Sequence, residues 1–166
     1  SDGIVTLELQ DYSRVPQSFG GGKGWARINH LKPDGMGRLF VNDLRGRMYL
    51  IGEGSADVYL DLKSEVGSNF DDSRGLGGGF TSFAFHPEFA SNGKLYTAHS
   101  ESVNGTADFT LFTGSVVAHG VVIEWTFDDP SSSTFSGTRT EIMRVEMAGT
   151  IHTMQELSFN TAASSS

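Results

Sequence analysis

The chain contains no cysteine. That excludes a disulfide framework, thiolate chemistry and cysteine-based zinc sites. Basic residues are few, twelve Lys and Arg against twenty Asp and Glu, for a net charge of −8. No basic patch is present to follow a phosphate backbone, so nucleic acid is not an expected partner. A neutral small molecule or another protein fits better. Nor is there an apolar run near the roughly 18 residues that a membrane-crossing helix needs. The opening SDGIVTLEL lacks a charged start followed by an apolar stretch, so no signal peptide is read in the chain as given, which fits either a mature export product or a trimmed polypeptide.

Several chemical motifs are incomplete. Gly20-Gly21-Gly22-Lys23-Gly24 lacks the Ser or Thr that follows Gly-Lys in a phosphate loop, and reads as a flexible entry loop. The glycines at 75 and 77–79 have no strand-to-helix context for a dinucleotide. Asp71-Asp72 lacks EF-hand spacing, and no G-x-S-x-G is present.

What the chain has is glycine, 21 residues, and aromatics at 11%, twelve of them Phe. Glycine turns between aromatic and β-branched runs predict an all-β architecture. Ile4 to Leu9 alternates and predicts a strand. Four short strands are then predicted at Trp25–Leu31, Arg38–Asp43, Arg47–Ile51 and Asp57–Leu62, joined by turns such as Lys32-Pro33-Asp34-Gly35. Together they make one antiparallel meander, the size of a propeller blade.

After a polar, glycine-rich connection over 63–78 the pattern returns. Phe80–Phe85 matches the first strand and Lys94–Thr97 the second, with Lys94 standing 56 positions after Arg38. A polar insertion follows from Glu101 to about Gly114, then strands at Val121–Phe127 and Thr138–Met147. A third unit opens at 152, where Leu157-Ser158-Phe159 matches Phe83-Ala84-Phe85. Repetition at a fixed period is the mark of propellers and solenoids. The domain reading is a partial propeller over 1–166: a first blade at 25–62, a second at 79–147, and the first strand of a third at 152–160. Two blades and one strand cannot close a ring, so the remainder of a longer polypeptide is the expected partner that completes it.

The stretch Gly79-Phe80-Thr81-Ser82-Phe83-Ala84-Phe85-His86-Pro87-Glu88-Phe89, followed by Asn92-Gly93-Lys94-Leu95-Tyr96, resembles the "GLLG-(F/L)AFHPDF…NG-LY" signature of the pyrroloquinoline-quinone (PQQ) dependent glucose/sorbosone dehydrogenases. The resemblance covers about residues 25–160 and is most specific around 79–97. It implies a β-propeller, six-bladed when complete, and a quinoprotein oxidoreductase that oxidises an aldose sugar at C1, with PQQ and calcium as cofactors, in the periplasm or secreted. The alternative is a non-catalytic propeller that binds carbohydrate or protein, because fold alone does not fix function.

The segment Ile151–Phe159 resembles the family's "H-x-x-G-x-L-x-F-G-P-D-G" segment, whose histidine is the general base for sugar oxidation. The resemblance therefore implies that role for His152, against the plainer reading of a polar residue that starts a strand. A neutral imidazole suits the task near neutral pH. The chain departs from the family pattern where Gln155 replaces a glycine and Asn160-Thr161-Ala162-Ala163 replaces the G-P-D-G turn. Gly77 stands where many members carry Gln or Glu toward the quinone. Arg74, just upstream, is a candidate for the quinone carboxylates or an ordinary solvated arginine. His30 and His86 read as turn histidines, and His99 and His119 as surface or turn residues. Family members bind calcium through residues late in the chain, so no metal ligand is assigned.

Overall fold

The computed structural model describes residues 5–18, 25–73, 77–111, 113–149 and 153–160. It is all-β, with two four-stranded antiparallel sheets and a few short helical turns. The first sheet is a meander of β1 (Ile28–Pro33), β2 (Leu39–Asp43), β3 (Arg47–Gly52) and β4 (Ser55–Asp61). The second repeats the plan with β5 (Phe80–Phe85), β6 (Lys94–Glu101), β7 (Ala118–Phe127) and β8 (Gly137–Met147). Between the sheets run α1 (Leu62–Val66) and one turn of 3-10 helix (Gly67–Asn69), where the sequence suggested only a polar connection. Asp61 caps α1 by accepting from the Ser64 N–H.

The sheets pack face to face because their alternation is matched. Register places Phe85, Leu95 and Trp125 side by side across β5, β6 and β7, with Phe83, Thr97 and Ile123 in the next row. Phe40, Met48, Tyr59 and Leu60 come from the first sheet, and the two sets form one buried core. Aromatic rings bridge it: Phe40 lies 4.8 Å from Phe85, and Tyr59 stacks on Phe127 at 5.0 Å. The Tyr59 hydroxyl is pushed up to about 12, chiefly by burial. A dense aromatic core of this kind supplies most of the apolar burial that holds two sheets together.

Polar bonds fix how the sheets meet. The Phe80 N–H donates to the Leu44 carbonyl at 2.9 Å. The Asn42 amide donates to the Phe80 carbonyl and the Asn29 amide to the Thr81 carbonyl. Gly79 is required at this crossing, because its φ is +91° and a Cβ there would meet the Leu44 carbonyl oxygen at 1.9 Å. At the opposite end of the sheets, Arg38 donates to Asp34 and to the carbonyls of Pro130, Ser131 and Ser132, and lies over Phe40 and Tyr59. That one guanidinium ties the β1–β2 turn to the β7–β8 turn.

Three expectations are corrected. Residues 5–18 contain no strand, and Val5, Leu7 and Leu9 stand 81%, 81% and 94% exposed. The strand read over 94–97 continues to Glu101, and the one read from Val121 begins at Ala118, because both extensions are buried despite their polar residues. The first strand of a third unit, expected over 152–160, is absent from its described part, 153–160. That segment is bonded through side chains instead: the Leu157 N–H donates to the Ser82 hydroxyl, and Phe159 packs against His86 and Tyr96. Among the described residues no helix is long and apolar enough to cross a membrane.

Candidate functional site

Of the residues singled out from the sequence, His152 and Arg74 lie outside the described residues. Gly77 is described, and its surroundings are informative. Its carbonyl accepts from the Thr153 hydroxyl at 2.6 Å and from the Gln155 amide at 3.1 Å. The Thr153 hydroxyl in turn accepts from Ser100 at 3.3 Å. The structure therefore brings the residue that follows His152 in sequence to the entry of β5, beside the end of β6. A Cβ on Gly120 would lie 2.9 Å from the end of the Met154 side chain, so Met154 rests close against β7 at that glycine.

Further along, His30 meets the same segment. It lies within β1, with Nε2 3.1 Å from the Gln155 carbonyl, and Lys32 pairs with Glu156. His86 does the turn work expected of it. Its Nδ1 accepts from the Glu88 N–H at 3.0 Å and stands 2.8 Å from the Asn92 amide.

His99 and His119 are corrected: neither is a surface or turn residue. Both sit in strands, 1% and 2% exposed, and belong to a buried polar cluster on the face of the second sheet that carries the core. His99 Nε2 lies 3.0 Å from Glu101, which also accepts from Arg144 at 2.9 Å and Asn104 at 3.0 Å. Arg144 reaches His119 Nδ1 at 3.2 Å and holds Glu141 with two further bonds.

The electrostatics follow from burial and partners. Burial lowers His99 below its ordinary value, against the opposing hydrogen bond to Glu101, so the ring is neutral. Burial alone would raise Glu101, but donors from His99, Asn104 and Arg144 outweigh it and hold the carboxyl at about 2. Arg144 is raised, first by its bond to Glu141. This is a buried charged cluster in which His99 Nδ1 has no hydrogen-bond partner among the described residues. The signal was in the sequence: Leu95, Thr97, His99 and Glu101 continue one alternation, and only polarity suggested that the strand had ended.

PQQ is planar and carries three carboxylates, so a cradle for it needs cations and donors free to face it. The residues described around Gly77 do not fit that need. The Gly77 carbonyl is an acceptor already saturated by Thr153 and Gln155. Lys63 is ion-paired to Asp72, which lies against Gly79. Among the described residues no three His, Asp or Glu stand together so as to hold a metal ion such as calcium. No protein-family model matches the chain, and no curated protein matches it.

Proposed function

We propose that this chain is the N-terminal portion of a six-bladed β-propeller of the PQQ-dependent glucose/sorbosone dehydrogenase kind, an exported oxidoreductase that oxidises an aldose at C1. The observation that carries the reading is the junction of Gly77, Ser100 and Thr153. It brings the residue next to His152 against the start of the second meander's first strand. In a propeller, the ends of such inner strands surround the channel mouth, where ligands sit. His152 is the general base that takes the C1 hydroxyl proton of the sugar. The resemblance assigns the electrons to PQQ with calcium. The described residues form no cradle for either.

That lack of fit favours a second reading, a propeller that binds carbohydrate or protein without oxidising it. Reconstituting the polypeptide that contains this chain with PQQ and calcium, then following dye reduction by glucose and other aldoses, separates the two. The dehydrogenase reading expects reduction that His152→Ala abolishes. A protein that takes up no quinone is the binder. Turnover unchanged in His152→Ala removes the base assignment alone.

A further inference from the structure

We propose that the polar cavity at the Asp43 end of the first sheet is a binding site for a small neutral polyhydroxylated ligand, held by its hydroxyl groups. The cavity measures about 460 Å³ and is lined by Asp43, Arg45, Arg47, Asp61, Lys63 and Asp72, among others. That is far more than one water occupies (about 30 Å³), and it falls within the range of small-molecule clefts.

The ligand class follows from one atom and its neighbours. Asp43 is fully buried. Its Oδ1 accepts the backbone N–H of Arg27 at 3.1 Å and of Arg45 at 3.0 Å, which fixes the carboxylate. Its Oδ2 is buried and has no hydrogen-bond partner among the described residues. A buried carboxylate oxygen without a donor is unfavourable, and folded proteins rarely leave one so. The neighbouring cations bond elsewhere and not to this oxygen, Arg47 Nε to Asp61 at 3.0 Å and Lys63 to Asp72 at 2.9 Å, and each keeps further N–H donors. The Ser18 hydroxyl, which lines the same cavity, is likewise buried without a hydrogen-bond partner among the described residues, so the hydroxyl groups of one ligand can serve both atoms.

Charge narrows the donor further. Asp43, Arg47 and Asp61 are successive cross-strand partners on β2, β3 and β4. A cationic ligand at Asp43 would face Arg47 directly, with Lys63 nearby. An anion would face Asp43 itself. The three acidic and three basic residues named above balance, and no group among the described residues could hold a metal ion. A neutral diol suits the site, since one hydroxyl donates to Asp43 Oδ2 while others accept from the guanidinium and ammonium groups.

Sorbitol is the probe, because it has no hemiacetal carbon and binds without the C1 oxidation proposed above. Titrated into the isotopically labelled protein, it should give saturable amide shifts confined to Arg45, Lys63, Gly67 and Asp72. Asp43→Asn puts a donor where Oδ2 accepts and should weaken the affinity roughly tenfold or more. Lys63→Met removes a half-exposed donor, so it tests the site with little risk to folding, and should weaken affinity several-fold. No saturable shift up to on the order of 100 mM would mean that solvent alone fills the cavity, and overturns the proposal. So does binding elsewhere, or affinity unchanged in both variants. The measurement needs no quinone, so its result stands whether or not the dehydrogenase reading does.

Discussion

Glu101 is the residue on which the buried cluster turns, and Glu101→Gln tests it with the least change of shape. The wild-type carboxylate accepts from His99, Asn104 and Arg144, and these donors hold it at about 2 rather than at its ordinary 4.5. A side chain only 5% exposed is little screened by solvent, so the difference is worth ~3 kcal/mol at neutral pH. The sign is fixed by the direction. A carboxyl depressed in the folded state contributes its full stability above the unfolded value of 4.5 and loses it as pH falls toward 2. Glutamine has no such charge to lose. Urea unfolding of the two proteins at pH 7 should therefore differ by ~3 kcal/mol, and the gap should close between pH 4.5 and pH 2. His99 acts in the same direction in both proteins. Its lowered value favours the neutral ring, so the stability it contributes is present above its unfolded value, near 6.5, and declines as acid protonates the unfolded chain. A gap under ~1 kcal/mol at pH 7, or one that stays constant with pH, refutes the argument.

Other substitutions test how the sheets are joined. Gly79→Ala combines a φ of +91° with a Cβ 1.9 Å from the Leu44 carbonyl and should cost about 3 kcal/mol. Gly54→Ala has φ +72° and open space, and should cost only about 1 kcal/mol in the same denaturant titration; equal losses would show that the close approach is not real. Arg38→Lys cannot hold three carbonyls and Asp34 while lying over two rings, and a loss of about 2 kcal/mol is expected by thermal unfolding. Trp125→Phe strands the Thr97 hydroxyl, to which the indole N–H now donates at 2.8 Å, and should cost roughly 1–3 kcal/mol by calorimetry.

Legibility in the sequence followed punctuation. Phe80–Phe85 was readable end for end because Gly79 opens it and His86-Pro87 closes it. The sequence pattern ends β6 at Thr97, since His99 and Glu101 are residues that usually belong in water. What keeps Glu101 inside, and His99 bonded to it, is Arg144, 43 positions beyond Glu101, and a single strand cannot announce a partner that distant. Over 153–160 the local pattern misled: Leu157 and Phe159 are half-buried in the expected alternation, yet the segment finds side chains rather than a strand to pair with. At Gly77 the sequence could mark only a position. That its carbonyl is taken by Thr153 and Gln155 depends on where the chain returns after β8.

The two asparagines at the crossing of the sheets have a consequence for solubility. β5 is the outermost strand of its sheet, and such a strand offers a row of free main-chain groups on which another chain could polymerise. Its Phe80 and Thr81 carbonyls are occupied by Asn42 and Asn29, while the Phe80 N–H is taken by Leu44. The first sheet thus caps the start of the second sheet's margin with amide groups, which cannot propagate a ladder. Replacing Asn29 and Asn42 with leucine would keep the bulk but bare that margin, and should increase aggregation through β5, read by light scattering against the unsubstituted protein.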